Sequence, residues 1–416
     1  MERLSSLLAK TKIWGLAGIL SFVCREVNVR LLRRKLRKLH VGSKTTDPQP
    51  GITVVGDLTE HPGLSKTLRD LVWSLKDAGI PVQTFDTTWR PRIPAADMDG
   101  LITPKGEFDL HRYTHIVVMY RSPLTKEMTA GHTVGRIVFH DSAHGIHVVT
   151  PFLRESGDDI IAMSDFNYEY FKAAFPDQKV WKITYPFRFR EKTATAREVL
   201  RCKLGIGADD FVVFFNFDFG SYYRKNIPAA LSAFAMAFKG DPTARLVFKT
   251  MGARRNGKRV AEMTAKVREL GLEPQFLHIS EYLPKADVDG LTGASDVYLS
   301  LHKCEGFGQG IAEAMSQGKP VVVTGWSANL EFCRPDTAWC VPYKIVPILP
   351  HEYPPAMKEW AEADPAAAAK ALREIRANPD AARDRAERGR AFVEEHFSVA
   401  NFKRDVAAFL GLAGRV

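Results

Sequence analysis

The segment LHKCEGFGQGIAEAM, residues 301–315, joins a short apolar run at residues 297–299 to an amphipathic helix. Gly306, Gly308 and Gly310 lie in the turn between the two. Glycine lets a backbone approach a ligand closely, and the free N–H groups of a first helical turn attract anions. The segment therefore predicts a strand, a diphosphate-binding turn and a helix.

Short apolar runs alternate with amphipathic helices on both sides of this segment. The chain opens with strands at residues 52–56 and 81–85 around a helix from about Leu64, and the alternation restarts at residues 211–215. From Ala361 onward the Ala-rich sequence predicts helices. We therefore predict two Rossmann-like α/β domains facing a central cleft. The cleft is the expected ligand site, because parallel sheets bind ligands beyond the carboxyl ends of their strands. The predicted divisions are a basic amphipathic extension at residues 1–49, a first domain at 50–190, a second at 195–395, and a C-terminal helix at 396–416 that packs back on the first domain.

The composition is that of a soluble globular protein, with 416 residues of which 45% are hydrophobic and 25% charged. Single cores stop growing beyond roughly 250 to 300 residues, so two domains are expected on length alone. The five cysteines are scattered and form no C-x-x-C pair. They predict neither a disulfide framework nor a zinc site, and favour a reducing cytoplasm.

Basic charge is concentrated near the N-terminus. The chain has 58 Lys and Arg against 48 Asp and Glu, a net charge of +10, and residues 1–44 hold eleven of the basic residues but only two of the acidic ones. The rest of the chain is therefore nearly neutral. Nucleic-acid enzymes usually spread basic charge over a binding face, and single-strand sites interleave aromatic residues, so no nucleic-acid partner is expected.

The basic extension also has apolar residues at helical spacing, which are Val29, Leu32, Leu36 and Leu39. Such a helix can lie in a membrane interface with its basic residues among anionic head groups. The uncharged run at residues 13–24 is shorter than the roughly 20 residues that span a bilayer, and the larger basic block follows it, unlike in a secretory signal. We predict peripheral attachment to the inner face of the cell membrane through residues 1–44. The alternative is a basic helix that packs its leucines on the body or on a partner.

Two carboxylates flank the glycine turn. Glu305 lies at its entrance and Glu313 lies eight residues later, in the helix. Bare phosphate would repel both, but they can accept hydrogen bonds from sugar hydroxyls on one side and a ribose on the other. The pattern predicts a nucleotide-sugar site. The alternative for Glu313 is a solvated helix face.

Residues 302–332 resemble the C-terminal signature of family 4 glycosyltransferases, which have the GT-B fold. Residues 217–219 with 224–228 resemble the segment of these enzymes whose basic residues hold the donor diphosphate. Gly63, at the start of the first helix, resembles their N-domain glycine loop that faces the donor phosphates. Residues 340–343 with 360–361 resemble the tail of a bacterial subgroup that works on surface polysaccharides.

The resemblance implies a role for each matching residue. Glu305 would contact hydroxyls of the transferred sugar, Glu313 the nucleotide ribose, and Arg224 with Lys225 the diphosphate. Many members of the family have an arginine six residues before that lysine, where this chain has Phe219. Phosphate binding is then expected to depend more on Arg224 or on Lys249. The expected donor-binding residues are Arg224, Lys225, Glu313, Gly306, Phe307, Gly308, Gly63 and Lys249.

The first domain offers one candidate catalytic residue, His140, at the end of a predicted strand. The family often places a histidine near the sugar, usually after the preceding strand, so His140 is either an active-site residue or a packed or capping histidine. Two D-x-D motifs, at residues 97–99 and 287–289, follow no convincing apolar strand and are interpreted as surface carboxylates. No metal or other cofactor is expected, because basic residues and helix N-termini can hold the phosphates.

These features predict a glycosyltransferase that moves a hexose, mannose-like or related, from a nucleoside-diphosphate sugar to a lipid-linked or growing saccharide. The family resemblance implies that the transfer retains the anomeric configuration. Catalysis is assigned to Glu305 and His140. A nucleotide-sugar epimerase or hydrolase of the same architecture would share the donor site, and a saccharide-binding protein at the membrane would share the fold. The intact Glu305, Glu313 and Lys225 argue against the non-catalytic alternative.

Overall fold

A computed structural model describes residues 27–43, 45–59, 63–88, 98, 100–119, 124–139, 144–145, 150–189, 198, 201–202, 204–352 and 357–412. The chain divides into two compact units. The first is drawn from Met1–Val138, Ser156–Ile161 and Val406–Val416, and the second from Phe139–Glu155 and Ala162–Asp405. Compared with the predicted divisions, residues 139–155 and 162–189 fall in the second unit. One reason is that Ser164 Oγ and Asn167 Nδ2 donate hydrogen bonds to the Gly306 carbonyl.

The first six-stranded sheet has the order β2-β1-β3-β4-β6-β7. Its central strands read as apolar runs because helices cover parallel sheets on both faces. The elements are helix α1 (residues 27–41), β1 (Gln49–Gly56), α2 (Gly63–Asp77), β2 (Val82–Asp86), β3 (Tyr113–Met119), β4 (Thr133–Ile137), β5 (His144–Gly145), α3 (Thr150–Ser156), β6 (Asp159–Ala162), α4 (Asp165–Ala174) and β7 (Val180–Lys182).

The second six-stranded sheet has the order β10-β9-β8-β11-β12-β13 and is parallel throughout. The fold class predicted from sequence, two Rossmann-like parallel sheets, is therefore confirmed. The elements are β8 (Phe211–Asp218), α5 (Ile227–Phe238), β9 (Ala244–Met251), α6 (Gly257–Leu270), β10 (Phe276–Ile279), α7 (Lys285–Ala294), β11 (Val297–Ser300), α8 (Gln309–Ser316), β12 (Val321–Thr324) and β13 (Trp339–Val341).

A small antiparallel sheet corrects the prediction of helix from Ala361 onward. Strands β14 (Tyr343–Pro347) and β15 (Met357–Ala363) form a hairpin, and β15 also pairs with β5. Helix begins only after Asp364, whose side chain accepts hydrogen bonds from Ala366 N and Ala367 N. The chain ends in helices α9 (Pro365–Ala377), α10 (Pro379–His396) and α11 (Val399–Phe409).

Helix α1 packs its leucines on the rest of the first unit. Leu36 is buried with Val55 and Phe85, and Leu32 and Leu39 pack against the same cluster. This is the arrangement of the sequence-based alternative, in which the leucines cover the body. Among the described helices, none is both long enough and apolar enough to cross a membrane.

A chain of three imidazoles lies where α1 meets the first unit. His40 Nδ1 is 2.7 Å from His111 Nε2, and His111 Nδ1 is 3.3 Å from His132 Nε2. Burial lowers the pKa of His111, the neighbouring His132 and His40 lower it further, and Asp109 opposes them. The folded protein therefore resists protonation of this ring.

We expect the folded state to lose stability as the pH falls below the ordinary histidine pKa of 6.5. Below that value the unfolded chain binds protons that folded His111 binds less readily, whereas well above it neither state is protonated. Urea unfolding between pH 7.5 and 5.5 measures the effect, and His111→Gln should reduce the slope of the unfolding free energy against pH. Identical slopes in the wild type and the variant would contradict this role of His111.

Candidate functional site

The turn at residues 221–226 presents two consecutive basic side chains, Arg224 and Lys225, between β8 and α5. Lys225 N donates to Ser221 O at 2.8 Å, and Asn226 N to Tyr223 O at 3.0 Å. Asn226 has φ 54° and ψ 51°, in the left-handed region that asparagine tolerates better than most residues. The chain then enters α5 with a proline in its first turn, where proline costs no hydrogen bond.

Glu305 forms ion pairs with both basic residues. Arg224 Nη1 lies 3.1 Å from Glu305 Oε2, and Lys225 Nζ contacts Glu305 Oε1. The two backbones are also joined, since Lys303 N donates to Arg224 O at 2.7 Å and Arg224 Nη1 to Cys304 O at 2.8 Å. The structure thus brings together three of the residues predicted from sequence.

The Glu305 carboxylate is buried, with 6% of the residue exposed. Burial by itself would raise the pKa of Glu305, but the charges of Lys225 and Arg224 outweigh burial and hold the pKa well below its usual range. Glu305 is therefore an anion at every physiological pH. Its carboxylate accepts hydrogen bonds from Arg224 and Lys225 and balances their charge.

The glycine turn continues from Glu305 into α8, and each glycine has a different reason. Gly308 has φ 100°, which other residues rarely adopt. At Gly306 a Cβ atom would lie 2.8 Å from Phe139 Cβ, and at Gly310 it would overlap the Tyr298 hydroxyl. The backbone amides of the turn can therefore lie closer to their surroundings than any side chain would allow.

Phe307 is committed to packing. Its ring stacks on Tyr185 with centroids 3.7 Å apart, and it also contacts Phe332 and Phe397. Only 3% of Phe307 is exposed. Any contact of this residue with a donor would come from its backbone.

Glu313 and Lys249 are not among the residues of the ion-paired cluster, which consists of Arg224, Lys225 and Glu305. Glu313 is half-buried on α8, three residues after Gly310. Lys249 is buried in β9, where its Nζ donates to Thr250 O at 2.9 Å and burial lowers the pKa of the ammonium against the charge of Glu281. Its register neighbour in β8 is Asn216. The described hydrogen bond of Lys249 is thus to its own strand.

The structure also explains the phenylalanine at the family's arginine position. Phe219 is fully buried, and the centre of its ring lies 5.2 Å from that of Phe217 and 6.2 Å from that of Tyr222. Its position is therefore filled by an aromatic cluster.

Sequence reasoning missed the polar residues beneath the turn. His302 is fully buried, with Nε2 2.9 Å from Asn329 Oδ1, and burial lowers its pKa. Ser327 Oγ accepts from Glu305 N at 2.9 Å, and Ala328 N donates to Glu305 O. The sequence signal was present, because His302 and Asn329 both lie in the segment that carries the family resemblance.

The remaining candidates lie elsewhere or are not described. Gly63 is the first residue of α2, in the first unit, and is exposed. His140 and residues 97 and 99 lie outside the described residues. Asp287 and Asp289 lie on α7, where Asp287 is exposed, as expected of a surface carboxylate, and Asp289 is half-buried.

Comparisons with known proteins bear on the fold and on one segment of the chain. Residues 197–344 match the family model described as "Glycosyl transferases group 1". No curated protein sequence matches the chain.

Solved structures of similar fold cover most of the chain. HepE (Alr3699) of Anabaena, in complex with UDP and glucose, is 17% identical over 87% of this chain and 100% of its own, with a TM-score of 0.61. Sucrose-phosphate synthase of Thermosynechococcus elongatus is 16% identical over 87% and 98%, with a TM-score of 0.64. WaaG, a glycosyltransferase involved in lipopolysaccharide biosynthesis, is 13% identical over 86% and 99%, with a TM-score of 0.57. The chain therefore has the two-domain GT-B fold, and its segment 197–344, which contains the ion-paired cluster, matches group 1 glycosyl transferases.

Proposed function

We propose that the protein is a retaining glycosyltransferase. It would move a hexose from a nucleoside-diphosphate sugar to a lipid-linked or growing saccharide in the synthesis of a surface polysaccharide. Within the described residues, the proposal rests most directly on the cluster of Arg224, Lys225 and Glu305, where two cations share one buried carboxylate beside a glycine turn.

The cluster suits a diphosphate leaving group. Arg224 and Lys225 would move toward the phosphates on donor binding, and would stabilise the negative charge that grows there as the sugar leaves. Glu305, relieved of part of its ion pairing, would accept hydrogen bonds from sugar hydroxyls. Two cations and the amides of the turn supply the positive charge that the phosphates need, so the proposal requires no metal.

Retention requires the acceptor to attack the face that the diphosphate leaves. The acceptor oxygen bonds to the anomeric carbon on the face that the diphosphate leaves, the bond from that carbon to the phosphate oxygen breaks, and the acceptor proton passes to the departing phosphate oxygen. Because the acceptor proton passes to the departing phosphate oxygen, this step assigns no proton transfer to Glu305.

A donor panel tests the proposal. Nucleoside-diphosphate release is measured with UDP-glucose first, because the HepE structure holds UDP and glucose, followed by other nucleotide hexoses, each with saccharide acceptors and with a chelator present. The expected product is a new glycoside with unchanged anomeric configuration. Epimerised or free sugar with no glycoside would replace the proposal by an epimerase or a hydrolase.

We infer also that α1 attaches the protein to the anionic inner face of the cell membrane by charge. Its leucines pack on the first unit, so its basic residues, which are exposed, would make the contact. Arg30, Arg34 and Lys38 recur every four residues and form one exposed stripe. Each basic residue near an anionic surface contributes about 1 kcal/mol.

Replacing Arg30, Arg34 and Lys38 by glutamate should weaken binding to anionic liposomes by at least about 100-fold at low salt, because three contributions of about 1 kcal/mol are lost and the glutamates are repelled. Liposome sedimentation measures it. The matched control replaces three exposed basic residues of the second unit by glutamate and should retain binding to the liposomes. These residues are Lys258, Lys370 and Arg383. Equal binding by both triple variants and the wild type would contradict attachment through α1.

A further inference from the structure

We propose that Glu362, on strand β15, is a positioning residue that holds the turn of Arg224 and Lys225 in its diphosphate-binding geometry. This inference rests on the proposed function. Glu362 lies in the β14–β15 hairpin, outside the matched segment 197–344. It reaches the turn through two separate contacts.

The first contact fixes the end of the turn. Asn226 Nδ2 donates to Glu362 Oε1 at 2.9 Å, and Asn226 itself is only 3% exposed. Its left-handed backbone is the point where the turn reverses into α5. A hydrogen bond to the side chain of a residue in this conformation stabilises the reversal, and the reversal sets the direction of the preceding two side chains.

The second contact fixes the neighbouring segment. Lys303 Nζ lies 2.8 Å from Glu362 Oε2 and 3.2 Å from Glu352 Oε1, and 4.9 Å from the centre of the Trp360 ring. Ala361 N donates to Lys303 O at 3.0 Å. Lys303 is two residues before Glu305, so the two oxygens of one carboxylate hold both segments that form the ion-paired cluster.

An open pocket of about 310 Å³ borders the turn on this side, lined by residues that include Tyr223, Asn226, Lys303, Glu352 and Glu362. A segment beside an open pocket has packing partners on fewer sides. The polar contacts of Glu362 therefore supply a restraint that side-chain packing does not.

Binding of a nucleoside diphosphate alone tests the inference without requiring turnover. Calorimetry with UDP, or with the diphosphate that the donor panel identifies, should give a Kd roughly 10-fold higher for Glu362→Ala, since two hydrogen bonds with charged partners are lost. Glu362→Gln keeps an acceptor for Asn226 but loses the charge facing Lys303, and should lie between Glu362→Ala and the wild type. Asn226→Gly keeps the backbone freedom and loses the side chain, and should weaken binding when Glu362 is intact but add little to Glu362→Ala.

The matched control is Glu359→Gln, which makes the same charge change on the same strand. Glu359 is three positions from Glu362, so its side chain lies on the opposite face of β15. The Kd of Glu359→Gln should be unchanged. An unchanged Kd in both Glu362→Ala and Asn226→Gly would overturn the positioning role, as would equal weakening by Glu359→Gln. If the wild type binds no nucleoside diphosphate at all, the proposed function itself is overturned.

Discussion

Lys225→Ala should lower kcat/KM for the nucleotide sugar by about 100- to 1,000-fold, the usual cost of removing one preorganised group from developing charge. Lys225 contacts the buried carboxylate of Glu305 and has only 17% of its side chain exposed. It is therefore held at the position from which a diphosphate oxygen would recruit it. Initial rates of nucleoside-diphosphate release over a range of donor concentrations measure the effect.

Two variants control for loss of charge in general. Lys225→Arg keeps the charge and should retain more activity than Lys225→Ala. Lys266→Ala removes a lysine of α6 that pairs with Glu269 in a partly exposed ion pair, and should leave kcat/KM unchanged. Activity of Lys225→Ala within threefold of the wild type would rule out the assigned role.

Gly310→Ala should reduce the free energy of unfolding by about 1–3 kcal/mol, as overpacking of a tight site usually does. The added methyl group would overlap the Tyr298 hydroxyl and lie 3.0 Å from Asn216 Oδ1. Because Tyr298 donates to Asn216 at 2.6 Å, neither group can move without losing that bond. Urea unfolding measures the stability, and donor turnover should fall as α8 and its turn shift.

The control for this change is Gly257→Ala, at the first residue of α6, where a Cβ atom would meet nothing within 4 Å. It should leave both stability and turnover near wild-type values. Adding Tyr298→Phe to Gly310→Ala removes the overlapping hydroxyl, and the double variant should recover part of the stability that Gly310→Ala loses. Equal stability of Gly310→Ala and Gly257→Ala would show that the turn tolerates a side chain.

Local patterns predicted the parts of the site that lie within one short segment. The glycines at 306, 308 and 310 indicated a close backbone approach, and each has a steric or conformational reason in the structure. The family resemblance assigned Arg224, Lys225 and Glu305 to one donor site. It did not predict their direct ion pairs, which span 81 and 80 residues of sequence.

Long-range polar contacts could not be predicted in this way. The bond between Asn226 and Glu362 joins residues 136 apart. The end of β15 that carries Glu362, residues 361–363, was predicted as helix because the alanines that follow it dominate the pattern. Similarly, helical spacing showed that Leu32, Leu36 and Leu39 share a face but not what covers it. The structure covers that face with the first unit, since an apolar stripe is equally satisfied by lipid or by a protein core.

A structure determined with a bound nucleoside diphosphate tests the central claim most directly. We predict that the diphosphate lies within hydrogen-bonding distance of Arg224 and Lys225 and of the backbone amides at residues 306–310, with the ion pairs of Glu305 lengthened. A diphosphate bound elsewhere, with Arg224 and Lys225 still paired to Glu305, would contradict the account.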